Sequence, residues 1–280
     1  MTTDNYFGSE TRYRLFTGMK YLVYLLLSFN VYLFLQEEVS AVQHTFAGDL
    51  QFEQIIQAFA ATIDTAAWVI LLLLFELETS VLDDSMIRGA VKWGLHGTRG
   101  ICTVAIVYAF SGYCRELITL YNVEALSIGD LCQQVDQGYS LLLGMDKYAL
   151  LDAANCKTLG AQVYQLKDFD IIADSSPLQS VRSLAWTDVI NSASWLLVVI
   201  VLEIEVRMQL RGDLSDKVMD VARTIKLILY FVLFAAAAYW GYAGNFLDFW
   251  DAFLWLFAFI FIELNVFEWH FETTHKEALS

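Results

Sequence analysis

WLLVVIVLEIE, Trp195 to Glu205, reads as a membrane-spanning run until it ends in two carboxylates. WVILLLLFELE (Trp68 to Glu78) and WLFAFIFIELN (Trp255 to Asn265) repeat the arrangement, with the same step of eight residues from Trp to Glu. Aligned on Trp, the three copies place Glu76, Glu203 and Glu263 at plus eight and Glu78, Glu205 and Asn265 at plus ten. Asp64, Asn191 and Asp251 fall at minus four, and the last two copies add an acid one turn earlier, Asp188 or Asp248.

Around these motifs the 280 residues are 57% hydrophobic with a single proline, a composition too apolar for an ordinary soluble domain. A bilayer-crossing helix needs roughly 17–25 residues. Six segments meet that length, at about 18–36, 55–77, 97–114, 186–206, 224–243 and 248–268. The sixth reaches it only if Glu263 and Asn265 sit at membrane depth. The charged TRYRLFTGMK before the first segment reads as the flank of an uncleaved span. The formal charge of -15 argues against a nucleic-acid partner, since such binders carry basic stripes.

Basic residues set the expected orientation. Arg12, Arg14 and Lys20 precede or open the first span, Arg88, Lys92 and Arg99 the third, and Arg207, Arg211, Lys217, Arg223 and Lys226 the fifth. Lys and Arg in short loops stay cytoplasmic. Both termini are therefore expected in the cytoplasm, with the chain in a bacterial inner membrane. The expected organisation is a cytoplasmic segment 1–17, spans one to three over 18–114, an outer domain 115–183, spans four to six over 184–270 and a cytoplasmic tail 271–280. The fold class is an all-α membrane protein of six helices in three tandem hairpins, with a small α-helical domain between spans three and four.

Across 114–183, CRELITLYNVEALS and YSLLLGMDKYALLDAANC group their apolar residues at helical spacing. So small a unit gains from a covalent tie, and an oxidising compartment favours a Cys132–Cys156 disulfide. Ser176-Pro177-Leu178-Gln179 has the form of a capping box that starts the fourth helix outside the bilayer.

Ionised groups in a bilayer face a bundle interior, a water-filled cavity or an opposite charge. At about 100° per residue, plus eight and plus ten point about 200° apart, so the two acids of a pair serve different neighbours. One reading is an ion-pair layer joining Lys20 to Glu76, Arg99 to Glu203 and Lys226 to Glu263. The other is a cation or proton path through Asp64, Glu78, Asp188, Glu205, Asp251 and Asn265.

Enzyme signals are thin, and neither a catalytic constellation nor a cofactor is expected. Glu268, His270, Glu272 and His275 offer one Glu-x-x-His pair, whereas a carboxylate-bridged metal site needs two, so no metal is expected. The sequence thus points to a non-enzymatic multi-pass protein, a structural or accessory subunit whose outer domain binds a membrane-protein partner or another copy. The alternative is a cation or proton channel or transporter using the intramembrane carboxylates.

Overall fold

The structure, a computed structural model, describes residues 10–45, 52–82, 86, 88–126, 128–133, 135–160, 162–211 and 216–279, the last stretch from 263 by its backbone alone. The chain is mostly helical. Its helices are α1 (Glu10–Thr45), α2 (Phe52–Ala58), α3 (Ala60–Glu76), α4 (Ala90–Tyr121), α5 (Ser175–Arg211), α6 (Asp216–Ala243) and α7 (Phe246–Leu279). Among the described residues, five helices hold stretches long and apolar enough to cross a membrane: Thr11–Thr45, Ala60–Thr79, Ala90–Tyr121, Ser175–Glu205 and Lys217–Ala243. Leu25, Phe29, Ile101, Val104, Phe231 and Phe234 are exposed on their outer faces, as in a chain solvated by lipid.

The long helices close into a ring. α1 packs on α3, α3 on α4, α4 on α5, α5 on α6, α6 on α7, and α7 returns to α1. Short connections enforce part of this order. Only Gly244 and Asn245 join α6 to α7; Gly244 takes φ +80°, and the Asn245 N–H reaches back to the Trp240 carbonyl at 3.0 Å. At Gly112 on α4 a Cβ would lie 2.6 Å from the Ile56 carbonyl oxygen, so α4 needs glycine there to approach α2.

Between α4 and α5 the expected helical domain is instead a five-stranded sheet. Strands β1 (Val123–Leu126), β2 (Ser140–Gly144), β3 (Lys147–Leu150), β4 (Val163–Leu166) and β5 (Ile171–Asp174) take the order β1-β4-β5-β2-β3, with only the β2–β5 pair parallel. Both faces of this sheet are covered. Leu142, Ile171 and Ala173 pack toward α4 and α5, while Leu141, Ile172 and Val163 pack with Leu131, Leu151 and Cys156 on the other side. A sheet buried on both faces does not alternate apolar with polar residues, which is why its strands imitate helical grouping. The Met145–Asp146 turn between β2 and β3, with Asp146 at φ +53°, breaks the supposed helix YSLLLGMDKYALL.

α4 continues beyond the expected boundary to Tyr121, where Arg182 of α5 closes its end. The Arg182 Nε–H donates to the Leu120 carbonyl at 2.9 Å, and the guanidinium stacks 4.5 Å from the Tyr121 ring. Cys132 and Cys156 lie at disulfide distance, spanning 24 residues of the sheet domain's irregular layer. Replacing both by Ser is expected to destabilise that domain by about 2–4 kcal/mol. Denaturant melts in detergent read the loss, and thiol labelling of the unreduced wild type should count only Cys102 and Cys114.

Candidate functional site

α3, α5 and α7 alternate around the ring, and their repeated motifs point to its centre. Trp68 meets Trp195 at 6.2 Å between ring centroids and Trp255 at 6.4 Å, with planes inclined by 52° and 68°. One helical turn toward the sheet domain, Asp64, Asn191 and Asp251 stand over the three indoles and line a cavity of about 100 Å³. Asp188 and Asp248, one further turn along α5 and α7, line it too. The Met145–Asp146 turn borders it from the sheet domain.

Eight carboxylates line this chamber: Asp64, Asp188, Asp248 and Asp251 on the motif helices, with Glu37, Glu38, Glu116 and Asp146 from elements around them. Among the described residues lining it there is no Lys, Arg or His. The expected first span ends at residue 36, which leaves Glu37 and Glu38 outside it, and Glu116 and Asp146 fall in the expected outer domain; α1 and α4 run further, and the β2–β3 turn folds further inward, than hydropathy shows. The signal for Asp248 was already present in the repeat.

Neutral donors hold several of these acids. The Asn30 Nδ2–H donates to Asp251 Oδ1 at 2.8 Å, the Trp240 indole N–H to Asp188 Oδ1 at 3.1 Å, and the Tyr113 hydroxyl to Asp64 Oδ2 at 3.4 Å. Glu38 performs a different task. At Phe59 the chain kinks between α2 and α3, and Glu38 accepts the Ala61 N–H at 2.8 Å, the Thr62 N–H at 3.2 Å and the Thr62 hydroxyl. It thus caps α3 from a neighbouring helix, where Phe59 offers no side-chain cap. Asp64 Oδ1 is left buried with no hydrogen bond of ordinary length and angle.

At the opposite end lies a layer of ion pairs, differently connected from the expectation. Lys20 Nζ meets Glu76 Oε1 at 2.6 Å with both side chains about 5% exposed, and the Tyr21 and Tyr24 hydroxyls also donate to that carboxylate. Arg99, expected at Glu203, instead pairs with Glu78 at 2.7 Å. Lys226, expected at Glu263, instead pairs with Glu205 at 2.7 Å. Glu203 turns outward to Arg207, one helical turn on. The ring order explains the exchange. α3 sits between α1 and α4, so Glu76 faces one neighbour and Glu78, carried on the π-helical turn Leu77–Val81, faces the other. Likewise the plus-ten Glu205 faces α6, the helix that follows it.

The path proposed from sequence therefore divides. Asp64, Asp188 and Asp251 belong to the chamber, whereas Glu78 and Glu205 belong to the ion-pair layer. Between them lies an apolar plug that includes Leu27, Leu72, Leu254, Ala258 and Phe261. The side chains of Glu263, Asn265, Glu268, His270, Glu272 and His275 lie outside the described residues, although α7 passes through all six positions.

No protein-family model, curated protein or solved structure matches the chain, so the site is read from its own geometry.

Two measurements test the energetics. Lys20→Met strands a buried Glu76 and is expected to cost about 3–5 kcal/mol, with Lys20→Met/Glu76→Leu recovering most of it; Lys226→Met, in a more hydrated pair, should cost about 1 kcal/mol or less. In the β2–β3 turn, burial and the neighbouring Glu37 push the Asp146 carboxyl up to about 6, with Lys147 opposing them. The folded state therefore holds a proton there that the unfolded chain releases, and ionising Asp146 costs stability as pH rises from about 4 to 6. Asp146→Asn, which tolerates the positive φ, should match the wild-type melting temperature below pH 4, exceed it increasingly up to pH 6 and keep a constant margin above.

Proposed function

We propose that this chain is a six-span membrane protein that binds a cation in the central chamber and passes it across the bilayer, with α7 as the sixth span. The observation that carries the reading is the convergence of eight carboxylates on one cavity whose described lining contains no base. Such a cavity in a low-dielectric bundle is a trap for positive charge, and each acid there is costly unless a cation or proton compensates it. The basic residues at the far end of α4 and α6 favour a cytoplasmic location for the ion-pair layer, which turns the chamber and sheet domain outward.

In the accessory-subunit reading the sheet domain docks another membrane protein, and the acids of the chamber have no role. The transport reading gives each part of the bundle a task. The chamber concentrates cations, the three indoles and the apolar plug below them form the barrier, and the ion pairs lock the helices in register. Passage then needs α3, α5 and α7 to part at the indoles, a rearrangement of hairpins against one another.

Reconstituted into liposomes, the protein is expected to carry cations down an imposed potential. Asp251→Asn or Asp64→Asn should reduce that flux at least tenfold, while Glu203→Gln, on the outer surface, should leave it unchanged. Wild-type vesicles no leakier than empty ones, together with no cation binding by the purified protein, would overturn the reading.

A further inference from the structure

Resting on the cation reading above, we propose that the chamber's ligand is a small organic ammonium ion carrying at least one N–H, and not a bare metal cation. The first reason is the floor. Trp68, Trp195 and Trp255 occupy the same place in three motifs and all three line the chamber, the Trp68 ring plane inclined by 52° to Trp195 and by 68° to Trp255. The negative face of an indole attracts an alkylammonium through its ring quadrupole and also accepts its methylenes. Mg²⁺ or Ca²⁺ needs six or more oxygens gathered at about 2.0–2.6 Å, and any metal cation gains less from carbon walls than from oxygen ligands.

The second reason is the spacing of the acids. Among the described residues no three His, Cys, Asp or Glu side chains come together closely enough to hold one metal ion. The carboxylates instead surround a space of about 100 Å³, which is room for several groups the size of a water molecule. Distributed charge around a partly apolar volume suits a ligand whose own charge sits at one end of a carbon skeleton.

The third reason is a vacant acceptor. Asp64 Oδ1 is buried one turn above Trp68 and makes no hydrogen bond of ordinary length and angle, the Trp68 indole being its neighbouring donor, while its other oxygen receives the Tyr113 hydroxyl at 3.4 Å. A buried, poorly satisfied carboxylate oxygen is costly, and an incoming N–H would satisfy it with a charge-assisted bond. A quaternary ammonium has no such hydrogen, so tetramethylammonium should bind more weakly than butylammonium.

The test is calorimetric titration of the full chain in nanodiscs with butylammonium, putrescine, tetramethylammonium, Na⁺, K⁺, Mg²⁺ and Ca²⁺. Saturable binding of butylammonium or putrescine is expected, at least tenfold tighter than tetramethylammonium or any of the metals. Asp64→Asn keeps the shape of the site and should weaken amine binding at least tenfold. Trp195→Leu should do the same, and Trp195→Phe, the milder change if Leu disturbs folding, should weaken it less. Binding of a metal ion with none of the amines would overturn this inference and leave the cation reading standing. Amine binding unaffected by both Asp64→Asn and Trp195→Phe would place the site elsewhere and overturn it too. No binding by any of the seven ions would overturn both.

Discussion

The contact among Trp68, Trp195 and Trp255 is the constraint on which the bundle depends. A ring of helices has a centre that must be filled, and lipid-facing residues cannot fill it. Indoles are large enough to meet there from alternate helices, and Phe259 adds a further ring 4.6 Å from Trp195. Toward the ion-pair end the contact shields a dry core of Leu, Ala and Phe. Toward the sheet domain it leaves a floor on which polar side chains stand. A single aromatic layer therefore fixes where the membrane-embedded interior changes from apolar to acidic.

Four of the acids beside that floor are held by a neutral hydrogen-bond donor or a backbone N–H rather than by a base. Asn30 serves Asp251, Trp240 serves Asp188, and the freed N–H groups at the start of α3 serve Glu38. Donors of this kind orient a carboxylate without cancelling its charge. The two ends of the bundle thus use opposite solutions. At one end, carboxylates meet Lys or Arg and hold the helices together; at the other, neutral side chains and backbone N–H groups hold Asp64, Asp188, Asp251 and Glu38, with no base among the described lining residues.

Much of this was legible in the chain. The Trp-to-Glu repeat disclosed three related helices, and the minus-four position disclosed Asp64, Asn191 and Asp251 as a set. Helical phase showed that plus-eight and plus-ten acids serve different neighbours, but it did not show which, because ring order is a tertiary property. Assigning every base to the acid of its own hairpin therefore placed Lys20 opposite Glu76, where it lies, and misplaced Arg99 and Lys226. The sheet was hidden for a different reason. Ile171, Ile172 and Ala173 are all fully buried, and a strand enclosed on both faces carries no period of two. Trp240, in the last turn of α6, is buried and lines the chamber, where its indole N–H reaches Asp188.

Where the three motifs differ is as instructive as where they agree. Seven residues before Trp, α5 carries Asp188 and α7 carries Asp248, but α3 has Ala61. A missing acid there would leave one sector of the chamber apolar. The Ala61 N–H, freed by the kink at Phe59, instead receives the Glu38 carboxylate at 2.8 Å. A carboxylate thus comes from α1 to the backbone of the very residue that aligns with Asp188 and Asp248. A side chain from another helix is attached by the backbone N–H groups it caps, so it stays only while α3 remains kinked and α1 remains alongside. The kink, the cap and the acid content of the chamber are then one device. Straightening α2 into α3 would reclaim those N–H groups for the helix, release Glu38 and change the charge of the chamber along with its shape.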